Sequence, residues 1–291
     1  MYRRFRGVFA ARDRVGVSPL YQGEYRGVPC FASEAKALIG WAEDIQEFPP
    51  GCYYHPDRGT VPFDAVEKRE PVTLSADEAA VVVRDTLSRA VEKCMLGGGP
   101  HGSWLSGGLD STAMAGICRQ RTGELHTFTV GVEGAPDVEY ARLGASILES
   151  EHHERIVGES EILESFDALL VRSSVMNYLV GKLASDWVPA VFSGEGGDEL
   201  FAGYSYLKSM KTEMLADELV DITNRLHNTA LQRVDRCSRA HGLTAYTPFL
   251  DTEVLDTALT IPTAYKMRRD GDGPEEKWIL KRAMEGIVPE P

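Results

Sequence analysis

The fold of this chain is decided by Leu105-Ser106-Gly107-Gly108-Leu109-Asp110-Ser111-Thr112. This stretch follows a short apolar segment and leads into a segment with helical spacing of apolar residues, so it predicts a tight turn from a strand into a helix. Glycines let the backbone approach a ligand closely, and the free amides at a helix start attract anions. The stretch therefore predicts an anion cradle, and phosphate is the ligand that suits it best.

Asp110 is the unexpected residue in this turn, because a carboxylate repels a phosphate. The repulsion disappears if Asp110 holds Mg²⁺ against the phosphates. The turn has neither the GxxxxGK(S/T) pattern of a Walker A loop nor the GxGxxG pattern of a dinucleotide-binding loop. A plain strand-to-helix turn in which Asp110 caps the helix is the alternative interpretation.

A second glycine-rich turn carries three acids, in the stretch Ser193-Gly194-Glu195-Gly196-Gly197-Asp198-Glu199. It also follows an apolar segment, and the carboxyl ends of parallel strands meet at one edge of a sheet. Asp110 and Asp198 are therefore expected to share one Mg²⁺ ion. Glu195 is expected to act as a general base. A glycine-rich loop with solvated acids is the alternative.

Around these turns, short apolar segments alternate with amphipathic ones, which predicts an α/β fold with a parallel sheet flanked by helices. The predicted strands cover residues 103–105, 126–132, 153–157 and 188–192, and the predicted helices cover residues 111–121, 138–150 and 161–171. Ser75 begins a further helix through a capping box with Glu78. Residues 205–239 have a helical pattern without strand signals, which predicts a C-terminal helical part.

The N-terminal residues form a different pattern. Residues 1–57 alternate aromatic and valine residues with turn signals, which predicts a small β-rich unit. Residues 56–73 contain three prolines and many charges, which predicts a linker. We therefore divide the chain into residues 1–57 and residues 58–291.

Composition excludes several classes of protein. The chain has 31 Lys and Arg residues against 44 Asp and Glu residues, a net charge of −13, which argues against a nucleic-acid partner. It has no apolar run of about 18 residues, so we expect no membrane span. Scattered cysteines and the lack of a signal-peptide pattern predict free thiols and a cytoplasmic location. Adjacent histidines in a strand point to opposite faces, so His152-His153-Glu154 is not expected to bind a metal.

The first turn, SGGLDS at residues 106–111, resembles the signature loop of the PP-loop (ATP pyrophosphatase) superfamily, which has an adenine nucleotide alpha hydrolase-like fold. Together with SGEGGDELFAGY at residues 193–204, it resembles the synthetase domain of the asparagine synthetase B family. Three further segments of this chain also resemble motifs of the family: FTVG at 128–131, PFLD at 248–251 and KWILK at 277–281. The resemblance identifies residues 1–57 as a remnant of a class II glutamine amidotransferase domain and residues 58–291 as the synthetase domain.

The resemblance implies a reaction in two steps. The β-carboxylate of aspartate attacks the α-phosphate of ATP and releases pyrophosphate, and ammonia then converts β-aspartyl-AMP into asparagine and AMP. Glu195 matches the glutamate that accepts a proton from the attacking ammonia, and Asp110 and Asp198 match the Mg²⁺ ligands. The implied ATP-binding residues are Leu105, Ser106, Gly107, Gly108, Asp110, Ser111, Val130, Ser193 and Gly194.

The chain also departs from the family pattern. Residue 2 is Tyr2, whereas the family's amidotransferase nucleophile is a cysteine, so we expect no glutaminase activity. The segment before Val171 is shorter than in the family, and the sequence ends before the W-R-x-K segment whose lysine contacts pyrophosphate. Tyr246 replaces the arginine before PFLD, and Thr244 replaces a glutamate.

Three functions therefore stay open at this point. The first is asparagine formation from aspartate and ammonia, with the ammonia free or supplied by a separate amidotransferase subunit. The second is amide or lactam formation on another carboxylate, as in β-lactam synthetases and peptide macrocyclases. The third is a nucleotide-binding subunit that needs a partner for activity. A homodimer is compatible with each of them.

Overall fold

A computed structural model describes residues 7–166, 174–270 and 273–288. Its centre is a five-stranded parallel sheet in the order β11-β10-β7-β8-β9. The strands are β7 (His101–Trp104), β8 (His126–Gly131), β9 (Glu151–Ile156), β10 (Ala190–Phe192) and β11 (Thr244–Tyr246). Every residue of β7 and β10 is buried, as expected for strands covered by helices on both faces. The predicted α/β class is confirmed.

Helices flank this sheet. Those that precede or connect its strands are α1 (Ala76–Met95), α2 (Leu109–Arg119), α3 (Pro136–Ile147), α4 (Glu159–Phe166), α5 (Val175–Ser185), α6 (Gly197–Phe201), α7 (Thr212–Asn224) and α8 (Gln232–Arg239). After β11 come α9 (Thr252–Thr260), α10 (Thr263–Lys266) and α11 (Trp278–Ala283). The predicted helical stretch at 205–239 is confirmed. The predicted helix at 161–171 coincides with α4 up to residue 166, and its remainder lies outside the described residues.

Strand β11 was not predicted from the sequence. Thr244–Tyr246 is short and partly exposed, so it lacks the apolar run that marks the other strands. Its ladder with β10 makes it a strand: the Thr244 amide donates to the Pro189 carbonyl, and the Ser193 amide donates to the Tyr246 carbonyl. This strand brings the PFLD motif to the same sheet edge as the second glycine-rich turn.

Helix α1 begins where the sequence predicts. The Ser75 hydroxyl accepts a hydrogen bond from the Glu78 amide, and the Glu78 carboxylate accepts one from the Ser75 amide at 2.8 Å. The apolar stripe of α1 packs against α9 and α11, with Leu87 and Val91 fully buried among Leu280 and its neighbours. Among the helices in the described ranges, none has the length and apolar content of a membrane span.

The N-terminal residues form two small antiparallel sheets. One has the order β1-β5-β6 and the other β3-β2-β4, from β1 (Ala10–Ala11), β2 (Tyr21–Tyr25), β3 (Val28–Ala32), β4 (Glu43–Glu47), β5 (Cys52–His55) and β6 (Gly59–Pro62). The prediction of a linker over 56–73 is wrong at its start, because Gly59–Pro62 pairs with β5. The division of the chain at 57 falls in the turn of this hairpin. A further hairpin joins β12 (Met267–Arg268) to β13 (Glu275–Glu276).

Candidate active site

The two glycine-rich turns touch each other at the carboxyl edge of the sheet. A Cβ atom added to Gly194 would lie 2.9 Å from the Asp110 carbonyl carbon and 2.9 Å from the Ser111 amide. Gly197 packs still more closely over the Asp110 carboxylate. Any side chain at these two positions would push the turns apart, so the glycines let the second turn sit directly on the first.

The structure brings Asp110 and Asp198 together through a residue that the sequence analysis gave no role. The Lys277 ammonium contacts Asp110 Oδ2 at 2.7 Å and Asp198 Oδ1 at 2.6 Å. Lys277 occupies the left-handed region with φ 54° immediately before α11, and its amide donates to the Phe201 carbonyl. A single cation therefore already bridges the two carboxylates that were predicted to share one.

The side chain of Asp110 is largely buried, whereas that of Asp198 is 38% exposed. Burial raises the pKa of Asp110 to about 7; Lys277 opposes the shift, and the nearby carboxylate of Asp198 adds to it. Burial alone would lower the pKa of Lys277, but the two aspartates raise it. The Asp110 Oδ1 atom is buried without a hydrogen-bond partner. An unpartnered carboxylate oxygen beside a second carboxylate fits the preference of Mg²⁺ for such oxygens.

The first turn is held by its own hydroxyl groups. Ser111 Oγ donates to the Gly108 carbonyl at 3.0 Å, accepts from the Ser106 amide at 3.1 Å and lies 2.9 Å from Ser106 Oγ. Gly108 precedes α2 without a side-chain cap, and Ser106 and Gly108 are exposed. The residues just before α2 are therefore accessible to a ligand, and the anion cradle at the start of this helix stays a prediction.

A cleft of about 420 Å³ opens beside the two turns. The predicted residues that line it are Leu105, Ser106, Asp110, Ser111, Val130, Ser193, Gly194, Glu195 and Asp198. Gly107 is placed differently. It has φ +77° and packs against α3, where an added Cβ would lie 2.9 Å from the Asp137 carbonyl oxygen. Gly107 thus shapes the turn, and Gly108 supplies exposed backbone beside the cleft.

Glu195 lies in the second turn and forms an ion pair with Arg233. Burial raises the pKa of Glu195, Arg233 opposes the shift, and Glu199 and Asp198 add to it. The ion pair joins Glu195 Oε1 and Arg233 Nη2 at 3.7 Å, and Arg233 Nε is buried without a hydrogen-bond partner. Arg233 lies on α8, in a stretch whose only sequence signal was its helical pattern.

Glu199 is a third acid that lines the cleft. The Tyr204 hydroxyl donates to Glu199 Oε1 at 2.5 Å. Burial raises the pKa of Glu199, and this hydrogen bond opposes the shift. Glu199 is one of the three acids of the second turn, and no role was predicted for it from the sequence.

Comparison with known proteins gives a consistent result along the chain. The asparagine synthase family model matches residues 82–221 and 209–291. Asparagine synthetase [glutamine-hydrolyzing] 3 of Arabidopsis thaliana is 34% identical over 307 residues, which covers 97% of this chain and 53% of that protein. The probable asparagine synthetase [glutamine-hydrolyzing] of Schizosaccharomyces pombe is 33% identical over 314 residues, covering 96% and 56%. The chain thus spans about half the length of these curated relatives.

Solved structures show more distant similarity. The NMN synthetase of Francisella tularensis is 14% identical, covers 67% of this chain and 96% of that chain, and has a TM-score of 0.34. The NH3-dependent NAD synthetase of Campylobacter jejuni is 16% identical, covers 66% and 96%, and has a TM-score of 0.35. The family assignment rests on the sequence match, which extends over most of the chain. This chain belongs to the asparagine synthase family.

Proposed function

We propose that this chain forms an amide bond through an acyl-adenylate, using ATP, with aspartate as the carboxylate and ammonia as the nitrogen donor. The observation that carries the proposal is the meeting of the two turns, which places Asp110, Asp198 and Glu195 in the lining of one cleft. Lys277 bridges the two aspartates. Family membership supports this class of chemistry.

ATP is proposed to lie along the cleft with its triphosphate over the start of α2. The exposed turn at Ser106 to Gly108 and the α2 amides supply donors for phosphate oxygens. Leu105, Val130, Ser193 and Gly194 line the cleft where the adenosine would bind. Asp110 and Asp198 would hold Mg²⁺, which when bound offsets the negative charge of the phosphates.

The first step joins the substrate to the nucleotide. A carboxylate oxygen of aspartate attacks the α-phosphorus of ATP, and the bond from that phosphorus to the pyrophosphate oxygen breaks. Pyrophosphate leaves with the electron pair. Lys277 is proposed to lie against the departing pyrophosphate, because its ammonium is the positive charge nearest the two aspartates.

The second step releases AMP. The ammonia nitrogen attacks the acyl carbon, the carbon–oxygen bond to AMP breaks, and one proton of the nitrogen must be removed. Glu195 is proposed as its acceptor, since burial raises its pKa above that of an ordinary glutamate and so makes it a stronger base. Arg233 opposes that shift and keeps the carboxylate available in its charged form.

The test is release of pyrophosphate and AMP by the purified chain with ATP and Mg²⁺. Aspartate and a panel of larger carboxylates are each assayed with and without ammonium. We expect amide product and equimolar AMP with aspartate and ammonium together. Turnover with another carboxylate but not with aspartate would overturn aspartate as the substrate. It would leave the proposed reaction through an acyl-adenylate in place. ATP binding without turnover on any carboxylate would overturn the enzymatic proposal and leave a nucleotide-binding subunit.

A further inference from the structure

Three potential metal ligands cluster at the amino ends of two neighbouring strands, on the edge of the sheet opposite to the ATP cleft. His126 is the first residue of β8, and Glu151 is the first residue of β9. These two residues are partners in the parallel ladder, and His153 pairs with Phe128 two positions further along. Because strand side chains alternate between faces, His126, Glu151 and His153 share one face of the sheet.

One possible ligand atom from each of these residues lies within 4.8 Å of the other two. His126 Nδ1 lies 3.0 Å from His153 Nε2. The Glu151 carboxylate contacts both rings, with 3.7 Å from Oε2 to His126 Nδ1 and 3.7 Å from Oε1 to His153 Nε2. Donor atoms on a tetrahedral zinc ion with bonds of about 2.0 Å are about 3.3 Å apart. The two 3.7 Å contacts use different oxygens of Glu151, whose side chain is 61% exposed. A rotation of that side chain would bring one atom of each residue onto a common ion.

The surroundings of His153 favour the neutral imidazole that metals bind. His153 stacks on Trp187 with ring centroids 3.9 Å apart, and it stacks on Phe128 at 5.1 Å. Burial lowers the pKa of His153, as does the neighbouring His126, while Glu151 opposes the shift. The aromatic rings fix the orientation of this ligand, and the carboxylate supplies negative charge beside it.

We propose that His126, Glu151 and His153 form a Zn²⁺ site, with the remaining coordination position open to solvent. Two imidazoles and one carboxylate suit zinc, whereas Mg²⁺ and Ca²⁺ prefer sets made of oxygen alone. The ion would join the edge strand β9 to β8 at their amino ends. It would lie at the start of β8, two residues or roughly 7 Å from Phe128, whose ring stacks on His153 and also lines the cleft.

His152 provides a matched control on the same strand. It points to the opposite face, where its Nδ1 atom lies 2.9 Å from Thr127 Oγ1. The sequence predicted no metal at His152-His153-Glu154, and the proposal departs from that prediction by taking His153 from the run as a ligand. The proposed site joins residues across two strands, which no local spacing in the sequence reveals.

The test is competition between the full chain, stripped of metal, and a chromophoric zinc chelator at neutral pH. We expect one tight Zn²⁺ site in the wild-type chain. His126→Gln, Glu151→Gln and His153→Gln should each weaken it by more than about 100-fold, since even the loss of an outer partner of a ligand costs 10- to 100-fold. His152→Gln should bind as the wild type does. Equal binding by all variants, or no tight binding by the wild type, would overturn the proposal.

A second measurement covers variants that fold poorly. His153→Gln removes the ring that stacks on Trp187, so its effect can come from packing. His126→Gln and Glu151→Gln leave that stack in place, and their thermal midpoints should no longer rise when Zn²⁺ is added. A normal rise in both variants would place the ion elsewhere, for instance on a free thiol. Neither measurement depends on synthetase activity. The zinc site can therefore be confirmed or rejected even if the proposed function is wrong.

Discussion

Lys277 stands where a metal ion is expected, between Asp110 and Asp198. Its side chain and that of Asp110 are 12% and 13% exposed, so the contact is largely shielded from water. A buried carboxylate beside a second carboxylate is costly without a counter-charge. The lysine therefore allows both acids to be present before any nucleotide or metal binds, and the site is preorganised at the level of three side chains.

Replacement of this lysine should destabilise the free protein. Lys277→Met leaves Asp110 and Asp198 facing each other, and we expect the free energy of unfolding to fall by about 3 kcal/mol, because removal of one partner strands a buried charge. Denaturant unfolding measures the change. Lys281→Met is the control: its exposed pair with Glu275 should contribute less than about 1 kcal/mol. Equal stability of the two variants would contradict the role given to Lys277.

The raised pKa of Asp110 predicts a dependence of stability on pH. A carboxyl with a higher pKa in the folded state binds its proton more tightly there, so its stabilising contribution is full below about pH 4 and is lost as the pH rises through about 7. In metal-free buffer, the free energy of unfolding of the wild type should therefore fall, relative to that of Asp110→Asn, as the pH rises from about 4 to about 7. Urea unfolding across the window measures both. Parallel curves for the two proteins would show that Asp110 does not titrate there.

Glu195 is proposed to act only in the second step, and that separates it from the residues that hold ATP. Glu195→Gln should lower amide formation by about 100- to 10,000-fold, the usual value of a general base. Exchange of labelled pyrophosphate into ATP reports the first step and should persist. If both activities fall together, the glutamate serves the structure of the turn or the nucleotide site rather than proton transfer.

At the scale of elements, the capping box predicted from the sequence is present at the start of helix α1. Its capping box satisfies free amides at the helix start, and the helix covers the core through α9 and α11. Ser75→Ala should lower the free energy of unfolding by about 1 kcal/mol. Thermal or denaturant unfolding measures it. Ser88→Ala, in the middle of the same helix, should be neutral or slightly stabilising because alanine has the higher helix propensity. The reverse order would contradict the capping argument.

Some elements of the fold and the site could be predicted from the sequence, and others could not. Both glycine-rich turns and the strands before them could be predicted, since apolar runs, glycines and acids lie within a few residues of each other. Strand β11 could not, because its pairing with β10 alone defines it. Lys277 is 167 residues from Asp110 along the chain, and only the packing of α11 beside the turns brings its ammonium there. Long-range pairs of this kind leave no periodic pattern in the sequence.

At the scale of the whole molecule, the N-terminal sheets are tied to the helical C-terminal part by buried charges. Arg14 contacts Asp256 of α9 at 2.6 Å and Asp64 at 2.7 Å, and its side chain is 7% exposed. Glu47 of β4 binds both Arg12 and His227. A unit as small as residues 7–62 is marginal when alone. These contacts therefore indicate that it depends on the residues that follow.

This dependence predicts that removing the Arg14 contacts destabilises both the N-terminal sheets and helix α9. Arg14→Met should increase hydrogen exchange in Tyr21–Tyr25 and in Thr252–Thr260 together, by a factor that corresponds to about 1–3 kcal/mol, because Asp256 and Asp64 lose the guanidinium they share. Hydrogen exchange read by mass spectrometry resolves the two segments. Lys36→Met is the control, since its pair with Glu34 is exposed and lies within the N-terminal unit. An increase confined to Tyr21–Tyr25 would mean that the N-terminal sheets open without the rest. They would then be an independent unit, and the Arg14 contacts would contribute little to the assembly of the whole.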